Sequence, residues 1–207
     1  MNERLELVVR TMANAAIENE QYFSELDGAV GDGDFGYSLA RGFEKVLGEW
    51  DDLDRSIPGP FLTKVASLII SAVGGVSGTI WGTAFLRAGM SLGTKAEIEG
   101  PDAVALLRAA IEGIKKRGQS DVGDKTLLDA LVPAVNELEK ALGQGNSAAV
   151  ALAEAATAAR ISAEGTRAMI AKRGRAAYTG ERSIGTLDAG AMAVAVLMEA
   201  VSQTWIE

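Results

Sequence analysis

The chain has 207 residues, of which 48% are hydrophobic and 23% are charged, and this composition is typical of a globular protein with a sizeable core. The net charge of −8 argues against nucleic acid as the main partner. The chain has no cysteine and no histidine, which excludes disulfides, thiolate metal sites and any role for imidazole as base, ligand or phosphoryl acceptor.

Helical periodicity runs through nearly the whole chain. Apolar residues recur at spacings of three to four from Leu5 to Ala16 and beyond, and alternating β-branched runs are missing. Glycine, proline and capping residues divide this pattern into eight predicted helices. The predicted spans are 2–26, 36–49, 60–73, 77–93, 101–117, 125–143, 147–172 and 189–205. Short connections between them predict an all-α, mostly antiparallel assembly in one domain, residues 1–207.

The N-terminus is charged and amphipathic and lacks the pattern of a signal peptide. No apolar run reaches the roughly 18 residues expected of a membrane span. We therefore expect a cytoplasmic protein without a membrane span.

Three carboxylates crowd a glycine-rich turn after the first predicted helix. Asp27, Asp32 and Asp34 lie in the segment Leu-Asp-Gly-Ala-Val-Gly-Asp-Gly-Asp-Phe-Gly, which begins at Leu26. Such like charges repel one another unless water or a cation neutralises them. Aspartate oxygens suit Mg²⁺, but aspartate and glycine also favour plain turns. The segment alone leaves a metal site and a solvated turn equally open.

A second glycine-rich segment, Gly-Gly-Val-Ser-Gly-Thr, covers residues 74–79 and opens a predicted helix. Free N–H groups at a helix start favour an anion such as phosphate, and Ser77 and Thr79 carry hydroxyl donors. The lysine of a Walker A loop is missing at the required spacing. A tight turn between two packed helices explains the segment at least as well.

The third segment, residues 121–129, reads Asp-Val-Gly-Asp-Lys-Thr-Leu-Leu-Asp. Asp124 or Thr126 can cap the helix that follows. Lys125 can reach a phosphate or pair with a carboxylate. A plain helix start is the favoured interpretation of this segment.

The fourth segment is the irregular stretch 173–188, which is long for a connection inside a compact domain. Together with Lys172, the arginines Arg173, Arg175 and Arg182 form a cationic cluster in an acidic chain. Guanidinium groups stabilise charge on transferring phosphoryl groups. A solvated surface loop is the alternative.

Together the four segments supply acidic metal ligands, backbone donors at a helix start and an arginine loop, which are the parts that phosphoryl transfer requires. In this order they resemble the nucleotide-binding L subunit of dihydroxyacetone kinases, over nearly the whole chain. The resemblance implies an eight-helix antiparallel barrel that holds Mg-ADP or Mg-ATP at one end. It implies that Asp27, Asp32 and Asp34 bind two Mg²⁺ ions and that Arg175 is a catalytic residue. The residues that it implies in nucleotide binding are Phe35, Gly36, Tyr37, Ser38, Ser77, Gly78, Thr79, Gly123, Leu127, Leu128, Arg175, Asp188, Ala189 and Gly190.

The chain departs from the family at three of its motif positions. Gly33 replaces alanine and Phe35 replaces histidine in the acidic turn, and Ala189 replaces a proline. The three aspartates remain, so metal binding is still expected. Phe35 cannot donate or accept a hydrogen bond through its side chain, so contacts at that position, and the substrate, can differ.

In this family a histidine of a separate K subunit holds the ketose covalently. A chain without histidine cannot do so, and the resemblance therefore implies a K-type ketose-binding partner. A phosphotransferase-system phosphocarrier subunit is a further partner if the bound nucleotide is rephosphorylated in place, whereas an ATP-dependent enzyme would exchange its nucleotide. We also expect a homodimer. A kinase for erythrulose or for a carrier-bound fatty acid, and a nucleotide sensor without catalysis, are the alternatives.

Overall fold

The structure is a computed structural model that describes residues 3–205, apart from the side chain of residue 76. Within this range the chain forms nine α-helices and no β-strand. The helices are α1 (Glu3–Glu18), α2 (Glu20–Gly28), α3 (Phe35–Gly48), α4 (Pro58–Ala72), α5 (Gly75–Leu92), α6 (Gly100–Gly118), α7 (Leu128–Gly143), α8 (Ala148–Gly165) and α9 (Ala189–Thr204). Short 3-10 turns cover Trp50–Asp52, Thr166–Ala168 and Arg175–Ser183. None of the helices described is long and apolar enough to cross a membrane.

Eight of the helices form a closed ring. Starting from α3, each helix packs against the next one in chain order as far as α9, and α1 closes the ring by packing against both α9 and α3. The short helix α2 lies against α3 and α9. Gly59 at the start of α4 lies against the carbonyl of Gly93 just beyond α5, which shows that the two helices run antiparallel. The predicted all-α, eight-helix antiparallel barrel is therefore confirmed.

The alternating direction of the helices gathers four connections at one end of the barrel. They are the turn after α2, the turn between α4 and α5, the segment between α6 and α7, and the long segment between α8 and α9. These are the four segments in which the sequence places its candidate functional residues. An up-and-down bundle brings alternate connections to the same end, because each helix reverses the direction of the one before it.

The core combines large aromatic side chains with closely spaced alanines. Phe23, Phe43 and Phe61 are fully buried, and Trp50 meets Phe61 edge to face with ring centroids 5.8 Å apart. Alanine occupies every fourth position of α8 from residue 151 to residue 163, and each of these alanines is buried. Residues four apart share a helix face, so this face lets the neighbouring helices approach closely.

Three predicted helix boundaries were wrong. The first predicted helix is divided into two helices, α1 and α2, which meet at Asn19. The side-chain amide of Asn19 donates to the carbonyl of Ala15 at 2.8 Å and so competes with the backbone for this acceptor. The helix predicted to reach residue 172 ends at Gly165. There the hydroxyl of buried Thr166 donates to a carbonyl of α8 and accepts the N–H of Asp188, which ties the end of α8 to the start of α9.

The helix predicted to begin at residue 125 begins at Leu128. Lys125 has a φ of 61°, which lies outside the range of a right-handed α-helix, so the helix cannot include it. Ser147 caps α8, since its hydroxyl accepts the N–H of Val150 at 3.4 Å. The stretch predicted to be irregular carries the 3-10 turn Arg175–Ser183, which is broken at Gly180.

Candidate functional site

The three aspartates of the acidic turn converge. One carboxylate oxygen from each of Asp27, Asp32 and Asp34 lies within 4.8 Å of the others. The turn folds around Asp27, which accepts a hydrogen bond from the N–H of Gly33 at 2.9 Å. Gly33 has a φ of 76°, and a Cβ at Gly31 would lie 2.4 Å from the Asp27 carboxylate. The glycines are therefore required by the shape of the turn.

The aspartates differ in electrostatic surroundings. Burial raises the pKa of Asp27, and the charges of Asp32 and Asp34 raise it further, although backbone N–H groups lower it. Partial desolvation raises the pKa of Asp32, but hydrogen bonding and attraction to Arg175 outweigh it and hold that pKa below its ordinary value. The cluster therefore carries negative charge that attracts a cation.

Arg175 is the cation that the structure places on this cluster. Its guanidinium contacts the carboxylate of Asp32 and lies 3.2 Å from that of Asp34. Hydrogen bonds to Asp34 and Asp32 raise the pKa of Arg175. The site presents carboxylate oxygens only, which is the donor set that a hard divalent cation such as Mg²⁺ prefers, and a positive group already lies against it. These residues fit a magnesium site.

The turn between α6 and α7 is shaped by Asp129. One carboxylate oxygen of Asp129 accepts the N–H of Gly123 and the other accepts that of Thr126 at 2.7 Å. Gly123 has a φ of 91°. The Thr126 hydroxyl accepts the N–H of Leu128 at 3.2 Å, so Thr126 takes part in the cap as expected. The larger contribution of Asp129 was not predicted from the sequence, although an acidic residue in a first helical turn was a signal for it.

The start of α9 lies beside this turn. A Cβ at Gly190 would be 3.3 Å from the Cβ of Leu127, so the helix start packs against Leu127. The Asp188 carboxylate caps the helix by accepting the N–H of Ala191 at 2.7 Å. Desolvation, with a smaller contribution from the charge of Asp129, raises the pKa of Asp188 to about 7. Leu127 and residues 188–190 therefore form one wall next to the turn.

Several predicted contact residues have a structural role in this fold. The ring of Phe35 packs against Phe23 with centroids 6.2 Å apart, so it faces the core. A Cβ at Gly36 would lie 2.0 Å from the carbonyl oxygen of Glu20, so this glycine lets α3 pack against α2. Leu128 is fully buried among apolar side chains.

The remaining predicted contacts lie in the first turns of helices. Tyr37 is 52% exposed on α3, with the guanidinium of Arg41 5.1 Å above its ring. Ser38 follows it in the same turn. Ser77, Gly78 and Thr79 lie in the first turns of α5, where Gly78 is packed against Val73 and the Thr79 hydroxyl donates to the carbonyl of Gly75 at 3.2 Å.

The DAK2 domain family matches residues 29–203. The chain belongs to the DAK2 domain family. Two relatives of similar length are named as subunits. The ADP-binding subunit DhaL of the PEP-dependent dihydroxyacetone kinase of Escherichia coli K12 is 36% identical over 179 residues, which cover 86% of this chain and 85% of that protein. The ADP-binding subunit DhaL of the PTS-dependent dihydroxyacetone kinase of Lactococcus lactis is 37% identical over 183 residues, 88% of this chain and 86% of that protein.

The DAK2 chain also matches a solved structure, the dihydroxyacetone kinase from C. freundii in complex with AMP-PNP and Mg²⁺. The TM-score is 0.79 at 25% identity, with 99% of this chain covered. The match occupies 34% of the C. freundii chain, so the DAK2 chain spans about a third of that kinase. The kinase therefore contains a unit of this fold within a longer polypeptide.

Proposed function

We propose that this DAK2 chain is the nucleotide-binding subunit of a dihydroxyacetone-type kinase. It passes a phosphoryl group by way of Mg-ADP and Mg-ATP to a short ketose held on a separate K-type subunit. The observation that carries the proposal is the convergence of Asp27, Asp32, Asp34 and Arg175 at one end of the barrel. The names of the E. coli and L. lactis relatives, which this chain matches along most of their length, support the same activity.

The carboxylates of the acidic turn would hold the magnesium, and we propose two ions, as the resemblance implies. Bound there, Mg²⁺ neutralises charge on the nucleotide phosphates. The start of α5 provides backbone N–H groups and hydroxyls for phosphate oxygens. Arg175 offsets the negative charge of the transferring group. The wall of Leu127 and residues 188–190 borders the nucleotide.

The chain has no histidine, so it can neither hold the ketose through an imidazole nor carry phosphohistidine. A K-type subunit must therefore present the acceptor hydroxyl. We favour a phosphotransferase relay, in which a phosphocarrier subunit rephosphorylates the bound nucleotide, because the relatives are named PEP-dependent and PTS-dependent. The homodimer stays a prediction, which light scattering of the purified protein checks.

Replacement of one metal ligand tests the proposal. We expect Asp32→Asn to lower the affinity for Mg-ADP by about tenfold or more, because a neutral amide neutralises and coordinates Mg²⁺ less well than a carboxylate. Isothermal titration calorimetry measures the affinity for Mg-ADP. The rate of phosphoryl transfer to dihydroxyacetone on a K-type subunit measures the activity. Asp51→Asn is the matched control, since Asp51 is exposed in the 3-10 turn between α3 and α4, at the other end of the barrel. Equal Mg-ADP affinity in wild type and Asp32→Asn would contradict the assignment of Asp32 as a magnesium ligand.

A further inference from the structure

Lys125 does not extend toward the acidic turn. Its side chain is only 3% exposed, and its ammonium lies beneath the segment between α8 and α9. The ammonium donates to the carbonyls of Met169 at 3.2 Å, Thr186 at 2.9 Å and Ser183, and to the Thr186 hydroxyl at 3.2 Å. From the sequence, a phosphate or a carboxylate was open as its partner beside the favoured interpretation of a plain helix start. In the structure every one of these acceptors is a neutral oxygen.

This arrangement is costly for the protein. A buried ammonium loses its hydration, and desolvation lowers the pKa of Lys125. The residue also has a φ of 61°, a left-handed conformation that long side chains seldom adopt. Strain of this kind persists where the surrounding structure enforces it, and it clusters at functional sites. The gain that offsets these costs must lie in what the ammonium binds.

The ammonium binds both ends of one loop. We define the arginine loop as residues 169–186, with Arg175 near its middle. Met169 precedes Arg175, whereas Ser183 and Thr186 follow it, so a single nitrogen closes the base of the loop. The N–H of Ala171 donates to the hydroxyl of Ser183 at 2.9 Å across the same base.

The turn that carries Lys125 makes further contacts with the loop. The carbonyl of Asp124 accepts the N–H of Lys172 at 3.0 Å, and the Asp124 carboxylate accepts Nε of Arg173 at 3.0 Å. Asp129 holds the turn rigid through its two backbone hydrogen bonds. The base of the arginine loop is therefore fixed to the start of α7, while its tip places the guanidinium of Arg175 on Asp32 and Asp34.

We propose that Lys125 is a positioning residue that closes the base of the arginine loop and thereby places Arg175 over the acidic turn. It acts through the loop and binds no phosphate itself. The consequence for catalysis rests on the function proposed above, whereas the closed loop rests on the contacts of Lys125 alone. The two are therefore tested separately.

Hydrogen exchange measured by mass spectrometry tests the closed loop. Lys125→Met keeps most of the length of the side chain, which stays unbranched, but removes the charge and its three donors. We expect amides of the arginine loop, including those of Ala171, Lys172 and Gly185, to exchange at least about tenfold faster, with α4 and α5 unchanged. The matched control is Lys140→Met, since Lys140 is exposed near the end of α7 and pairs with Glu137. Unchanged exchange in the loop of Lys125→Met overturns the proposal.

A second variant covers the case in which Lys125→Met does not fold. Thr186→Val removes one acceptor of the ammonium and keeps the backbone carbonyl. We expect faster exchange, by about threefold, confined to the arginine loop. Exchange that stays at the wild-type rate throughout the loop contradicts the role of Lys125.

Kinetics test the consequence for catalysis. For Lys125→Met with a K-type subunit we expect kcat for phosphoryl transfer to fall about 100-fold, since a displacement near 1 Å is sufficient for such a loss. The affinity for Mg-ADP should stay within about threefold of the wild type. Loss of Mg-ADP affinity with unchanged kcat would identify Lys125 as a phosphate ligand and overturn the proposal. If the wild type transfers no phosphoryl group to a ketose on any K-type subunit, the proposed function fails. Hydrogen exchange then still decides whether Lys125 closes the loop.

Discussion

At the scale of single residues, the main feature of the site is one arginine that forms ion pairs with two carboxylates. Arg175 contacts Asp32 and Asp34 while its side chain remains more than half exposed. An exposed ion pair is weak, so the guanidinium can leave the carboxylates when a stronger cation arrives. In the proposed magnesium site, Arg175 and a metal ion would therefore compete for the same oxygens. A guanidinium released in this way would become available to the phosphates of a nucleotide.

We expect Arg175→Ala to tighten metal binding by the nucleotide-free protein by about threefold to fivefold. The expected change is small, because an exposed ion pair contributes little. Calorimetric titration with Mn²⁺ or Mg²⁺ measures the affinity. Arg182→Ala is the control, because Arg182 is exposed in the same loop. If Arg175→Ala binds metal no better than wild type, the competition does not exist.

At the scale of helices, the acidic turn depends on close packing of α2 against α3. The turn is short, and Asp34 is followed at once by Phe35, the first residue of α3. Phe35 and Phe23 pack ring against ring, and Gly36 allows the two helix backbones to approach. Because the turn connects these two helices, their separation sets the distances between its carboxylates. Phe35 thus contributes apolar packing between α2 and α3.

A methyl group at Gly36 tests this dependence. We expect Gly36→Ala to lower the free energy of unfolding by about 3 kcal/mol, since the new Cβ would meet backbone atoms that cannot move independently. Mg-ADP affinity should fall as well, because α2 and α3 must separate. Urea unfolding and calorimetry measure the two effects.

Gly48→Ala in the same helix provides the control. A Cβ at Gly48 meets no other atom within 4 Å. We expect its unfolding free energy to stay within about 1 kcal/mol of the wild type, in either direction. Equal stability of Gly36→Ala and Gly48→Ala would show that the close contact of α2 and α3 is dispensable.

At the scale of the whole molecule, the ring of antiparallel helices brings charged groups from distant parts of the chain together. Asp188 at the start of α9 is affected by the charges of Asp129, Lys125 and Asp27, which come from two other segments. Its pKa rises from an ordinary 3.8 to about 7. Folding therefore holds a proton on Asp188 that the unfolded chain releases. This proton links the stability of the barrel to pH.

The sign of this linkage gives a prediction. The stability due to protonated Asp188 is complete below about pH 4 and is lost as the pH rises through about 7. Asparagine imitates the protonated form and can still cap α9. We expect Asp188→Asn to gain stability relative to wild type as pH rises, by up to about 1.4 kcal/mol per pH unit. Urea unfolding of both proteins from about pH 5 to pH 8 measures the difference, and parallel curves would contradict it.

The site was partly predictable from the sequence. The acidic turn and the cationic cluster that contains Arg175 were identified because aspartate, glycine and arginine have local chemistry that suits metal and phosphate. Within that cluster, only the family resemblance singled out Arg175. The contacts of Lys125 could not be predicted, because the direction of its side chain depends on a left-handed backbone and on carbonyls that lie about 40 to 60 residues later in the chain. The nucleotide contact implied for Leu128 stays a prediction, and the burial of its side chain could not be predicted because it depends on how α5, α6 and α7 pack.

The amino-acid sequence alone establishes that the chain is helical, roughly where its helices begin and end, and which four connections hold the candidate functional residues. Apolar periodicity and helix breakers are local signals, so they can be read without the fold. The tertiary structure decides that the first helix bends at Asn19, that α8 ends at Gly165, and that Arg175 meets an aspartate 141 residues earlier. Such contacts result from packing between distant segments, and no local pattern specifies them.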